Sequence, residues 1–88
     1  MSRKIHKTLR LMKESPRNVK FSDLCRVCEY YFGTPRQTGG SHRIYKTPWA
    51  GDPGINIQEG HNGLAKVYQI KQVLAALERM KKADEPTE

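Results

Sequence analysis

Apolar positions in the first part of the chain recur with the period of a helix. Ile5, Leu9 and Met12 fall at i, i+4 and i+7 with basic residues between them, which predicts a short helix over 3–14. Pro16 stops it, and 15–18 reads as a linker. So short a helix is marginal in water, so it docks on the rest of the chain or frays. A second helix is predicted over 22–31, where Leu24, Val27, Cys28 and Tyr31 repeat the stripe. Ser22 is its expected N-cap, Asp23 suits the positive end of the helix dipole, and Phe21 just outside would close the end as a hydrophobic staple. Gly33 is the expected stop.

The period then changes to two. Three short strands are predicted, over 36–38, 42–47 and 54–58, with Gly39-Gly40 as a hairpin turn between the first two. Pro35 marks the first strand as irregular or an edge. Ile55 and Ile57 alternate with Asn56 and Gln58, so the third strand has one buried and one wet face. In the second strand His42 shares a face with Ile44 and Lys46, and Arg43 shares the other with Tyr45. If Ile44 faces the helices, His42 lies on that side, at the rim of the sheet. A loop is expected over 48–53 (PWAGDP) and another over 59–66. A last helix is expected over 67–82, with Ile70, Val73, Leu74, Leu77 and Met80 as its stripe. The order predicts an α+β domain, a three-stranded antiparallel meander with helices on one face and the other face open to a partner. Residues 1–17 form a basic N-terminal helical extension, 18–82 the domain, and 83–88 a polar tail.

Charge adds a direction to this picture. The 88 residues carry a net +7. Residues 1–20 hold seven Lys/Arg and one Glu, a balance of +6, and 21–88 hold nine and eight, only +1. A basic arm attracts phosphates without reading sequence, and it also simply keeps a protein soluble. No run approaches a membrane span, and the first residues lack the apolar core and cleavage site of a secretory signal. The cytoplasm is therefore the expected location, with Cys25 and Cys28 as reduced thiols.

The candidate chemistry narrows by elimination. Cys25-Arg-Val-Cys28 with His42 and His61 supplies four zinc-type ligands on paper, but structural zinc sites use two local pairs and these histidines are nineteen residues apart. Cys28 also lies on an apolar stripe, so buried thiols fit better and no metal or cofactor is expected. Asp52 and Glu59 are the only carboxylates between Gly33 and Lys66, too few for a paired-carboxylate hydrolase or a Mg²⁺ cluster. Ser41 and His42 are neighbours that point apart in an extended chain, which disfavours a Ser-His-Asp triad. Histidine and cations remain. Histidine moves protons near neutral pH, and Arg36, Arg43, Lys46, Lys66 and Lys71 can line a polyanion surface. Tyr45 and Trp49 either stack on bases or pack. These parts suffice to cleave RNA, and they also suffice merely to bind it. His42 in this reading is either the reacting group or a strand-end surface residue.

The stretch RQTGGSHRIYK, followed by GINIQEGHNGLAKVYQIKQVLAAL, resembles the HicA family of toxins. Arg36, Gly40, Ser41, His42, Ile44, Tyr45 and Lys66 fall on that family's pattern, and the resemblance spans roughly residues 19–80. It implies a double-stranded-RNA-binding-domain-like fold and a ribosome-independent mRNA endonuclease, the toxin of a toxin–antitoxin pair. The histidine after Gly-Ser, here His42, would be essential, and a HicB-type antitoxin would cover it in a toxin–antitoxin oligomer. Gly40, Ser41, Arg36, Arg43, Lys46, Lys66 and Lys71 are the expected RNA contacts, and His61 is a candidate second acid/base for which the role of a loop surface histidine fits better. The chain departs from the pattern in the segment before Asn18, in Pro35 and in the PWAGDP connection.

Overall fold

The computed structural model describes residues 3–37, 42–49, 51 and 54–84. Helix α1 spans Arg3–Glu14 and docks rather than frays, burying Ile5, Thr8 and Met12. Its last turn closes through the Ser15 N–H donating to the Leu11 carbonyl at 2.7 Å, and a 3-10 turn at Pro16–Asn18 follows. Helix α2 spans Phe21–Phe32. It starts one residue earlier than its sequence signals suggest. The Leu24 N–H donates to the Lys20 carbonyl at 3.0 Å, so Lys20 is the cap, Phe21 is the first helical residue, and Ser22 lies inside. The reason is tertiary. Val19 is fully buried and its carbonyl accepts from the Ala65 N–H at 2.8 Å, while Lys20 bridges Leu64. These bonds hold the entry to α2 so that Phe21 turns into the core instead of lying outside as a staple. At the other end Gly33 takes φ +91°, open to glycine, and its N–H donates to the Glu29 carbonyl at 3.0 Å.

Strands β1 (Arg36–Gln37), β2 (Arg43–Tyr45) and β3 (Ile55–Ile57) run antiparallel in the order β1-β2-β3. The β2–β3 ladder is the longer, and β1, following Pro35, contributes only a two-residue edge. The Gly39-Gly40 turn lies outside the described residues. Between β3 and the last helix, a 3-10 turn at His61–Gly63 uses positive φ at Asn62 and Gly63, and bridges pair Glu59 with Ala65 and Lys20 with Leu64. Helix α3 spans Val67–Asp84, two residues past the predicted end. Helix α2 packs on β2, α3 packs on β3, and α1 lies across α2 and α3. One core joins them, from Met12 and Leu24 through Tyr45 and Ile57 to Ile70 and Val73. This is the expected α+β class. Among the described residues no helix is long and apolar enough to cross a membrane.

The phase of β2 is opposite to the one that placed Ile44 toward the helices. Tyr45 is fully buried and Ile44 only half-buried. Residues directly opposite in a ladder share a face. Arg43 pairs with Ile57 and Tyr45 with Ile55, and both isoleucines are buried, so Arg43 and Tyr45 face the helices. Ile44 faces away from them. Alternation carried one residue beyond each end of β2 puts His42 and Lys46 on that same side, opposite to the side expected from sequence.

Candidate nucleic-acid interface on the open sheet face

Ile44 sits between Arg36 of β1 and Asn56 of β3, so these three side chains form one row across the open face. Arg36, Lys46 and Asn56 are exposed, and His42 is half-buried. Continuing the β2–β3 register by one residue brings His42 level with Gln58. Gln58 is held from both directions. Its backbone N–H donates to Gln69 Oε1 at 2.9 Å, and its own Oε1 accepts from Lys66 Nζ at 3.4 Å. Gln69 is one of two buried polar residues among the described residues and extends the chain of contacts by donating from Nε2 to Tyr68 Oη at 3.3 Å. The first turn of α3 is thus tied to the end of β3, with the Lys66 ammonium beside Gln58. Gln69 carries no signal in an apolar-stripe reading, because it adjoins the stripe without being apolar.

The expected RNA-contacting residues divide. Arg36 lies on the open face beside Ile44, alternation puts His42 and Lys46 on the same side, and Lys66 lies against Gln58 at the end of β3. Arg43 does not join them. Its guanidinium lies 5.5 Å from the centre of the Phe21 ring, and its Nε is buried without a hydrogen-bond partner among the described residues. Lys71 is exposed on α3, with no contact that ties it to the sheet among the described residues. Gly40 and Ser41 lie outside the described residues. His61 is exposed in its 3-10 turn. Tyr45 packs in the core, while Trp49 lies at the surface under Arg79, whose guanidinium carbon is 4.1 Å from the ring centre.

Behind β2, Arg43 and Tyr45 lie against Cys25 of α2. Burial pushes the Cys25 thiol up from its ordinary 9.0, against the pull of the Arg43 charge. Cys28, deeper still, is raised further, by burial first and then by Cys25 and Glu29. The Tyr45 phenol is raised for the same leading reason. Both cysteines are free and buried, and no group of three His, Cys, Asp or Glu side chains suited to a metal stands together among the described residues. A testable consequence has a definite sign. The folded protein keeps these protons where the unfolded chain loses them, so this contribution is complete below 9.0 and declines as pH rises from there toward the folded values. Urea midpoints should be lower at pH 10.5 than at pH 8, and at pH 8 neither thiol should react with a disulfide reagent before unfolding. Prompt reaction of either thiol in the folded protein contradicts this burial.

Comparison with family models, with curated proteins and with solved structures finds no match to this chain.

Proposed function

We propose that this chain is a metal-independent endoribonuclease of the HicA kind, a toxin that cleaves mRNA and is neutralised by a HicB-type antitoxin. The observation that supports the reading is the register of β2, which turns Ile44 away from the helices and, continued by alternation, puts His42 and the exposed Lys46 on the side of exposed Arg36, with Lys66 against Gln58 at the end of β3. The double-stranded-RNA-binding-domain-like description of the fold belongs to this same reading, since helices on one side and a polar sheet on the other leave one face for RNA.

The chemistry needs little more than these groups. His42 accepts the proton of a ribose 2′-hydroxyl, and the 2′-oxygen attacks the adjacent phosphorus. Lys66 and its neighbours stabilise the charge that develops on the phosphoryl oxygens. The 5′-oxygen leaves and takes up a proton, giving one fragment with a 2′,3′-cyclic phosphate and another with a 5′-hydroxyl. An antitoxin laid over this face would exclude RNA from it.

The test is direct. Purified protein should shorten a single-stranded RNA in EDTA and leave 2′,3′-cyclic phosphate ends. Loss of activity in EDTA would redirect the chemistry to a metal. Salt-dependent binding with no shortening under any condition would support instead a non-catalytic RNA-binding module, which the same basic face permits.

A further inference from the structure

The helical side of the molecule carries a groove of its own. α1, the end of α2 and α3 converge around a cavity of about 420 Å³, and every residue lining it belongs to one of these helices. It therefore lies away from the open sheet face. We propose that this groove docks an acidic amphipathic helix of a partner protein. The inference goes beyond the nuclease reading and does not rest on it.

The walls are apolar surface that the fold leaves uncovered. Leu9 of α1, Tyr31 of α2, and Leu74, Leu77 and Met80 of α3 line the groove, and all five are only half-buried. Among the described residues, four of the six partly buried apolar side chains that pack on the core are in this set, so the core is least covered here. A recessed apolar patch with a polar rim is the mark of a docking surface. Its length suits a helix. The α3 wall runs from Leu74 to Lys81, about 10 Å of helix axis. Helices laid into grooves anchor through residues at i, i+3 or i+4, and i+7, which span the same distance. Charge then selects the partner. Lys13 and Lys81 stand exposed at the rim, against the single carboxylate of Glu78. Neither ammonium belongs to a salt bridge among the described residues. The outward face of α1 carries the excess onward. Arg3, Lys7 and Arg10 are exposed at i, i+4 and i+7, on the side opposite buried Ile5 and Met12. Acidic side chains flanking a row of apolar anchors would meet these cations.

Other occupants match only half of this surface. RNA would meet the cations, but its bases stack on aromatic faces, and four of the five apolar wall residues are Leu or Met. A lipid surface takes apolar side chains that stand out from the protein. The exposed large apolar residues Leu11, Tyr30 and Tyr68 are not in the groove, and the apolar face of α1 is turned into the core. The helices of a second copy are basic or nearly neutral, so they bring no complementary charge.

Labelled probe peptides of about 15 residues, long enough to form a helix, test this with the full chain. The first presents Leu at i, i+4 and i+7 with Glu and Ala elsewhere. The second has Lys in place of every Glu, and the third has Ala in place of every Leu. Only the first should bind, followed by fluorescence anisotropy, and it should shift the methyl resonances of Leu9, Leu74 and Leu77. The double variant Lys13→Glu/Lys81→Glu changes only exposed positions and should fold like the wild type. It should bind the acidic peptide about tenfold more weakly, the summed effect of two exposed charge pairs lost and reversed. The proposal is overturned if the acidic peptide fails to bind, if either control peptide binds as well, if the folded double variant binds it like the wild type, or if the shifted methyls lie elsewhere. Release of the bound peptide by an uncleavable RNA, or by anionic lipid vesicles, hands the surface to that ligand and overturns it too. Peptide binding at these leucines in a protein that never cleaves RNA leaves the groove standing and removes the nuclease reading alone.

Discussion

Replacing His42 with alanine should lower RNA cleavage by roughly 10²- to 10⁴-fold, the usual contribution of a positioned acid or base. The fold should be retained, because His42 is half-buried at the end of β2 and is not one of the residues of the buried core. A substitution at such a place changes stability by about 0.5 kcal/mol or less. Circular dichroism and a urea midpoint matching the wild type, with cleavage lost and RNA binding kept, is the expected combination. In cells the same variant should no longer arrest growth. A folded His42→Ala protein that cuts RNA at the wild-type rate would remove the histidine from the chemistry and leave the binding-module reading in place.

The largest effect on stability should come from Tyr45. Its side chain is fully buried beneath the sheet, against Cys25 and Arg43 of the helix-facing side. Truncation of a buried aromatic to alanine costs about 3–5 kcal/mol. An 88-residue domain has a total stability of about 4–13 kcal/mol at the usual 0.05–0.15 kcal/mol per residue, so Tyr45→Ala removes a large share or all of it. Tyr45→Phe should behave differently. It keeps the ring and deletes a buried hydroxyl whose neighbours, Cys25 and Arg43, make no well-formed hydrogen bond to it, so the cost should not exceed the roughly 1 kcal/mol of a single hydrogen bond. Urea denaturation of the three proteins followed by circular dichroism measures both. If Tyr45→Ala instead stays as stable as the wild type and loses only RNA binding, the ring stacks on a base and the helix-facing placement of Tyr45 is wrong.

The two residues also show what a sequence pattern can and cannot carry. The helices were readable because each has a one-sided apolar stripe that only one period fits, and Gly33 was readable as a stop because the chain there needs positive φ. β3 was readable for the same reason, with Ile55 and Ile57 on one side and Asn56 on the other. β2 was not. Its three residues, Arg43, Ile44 and Tyr45, offer an apolar side chain to each face, so alternation alone leaves two phases. The choice came from pairing Arg43 with Ile57 and Tyr45 with Ile55, across a connection whose length hides the register. With that choice His42 and Lys46 went to the open face and Arg43 went under the sheet.

Elsewhere the distance along the chain was the obstacle. The start of α2 moved by one residue because Val19 and Lys20 bond to Ala65 and Leu64, more than forty positions away. Gln69 became part of the candidate site through a single bond to the Gln58 backbone, and Trp49 met Arg79 across thirty positions. Sequence by itself determined the class of fold, the order of its elements, and the short roster of histidine and cations from which a site could be built. Those properties are local, set by period, caps and composition over a few turns of chain. Only the tertiary structure decided which roster members share a surface. Strand register and helix docking depend on how whole faces pack against each other, and no local window contains both faces.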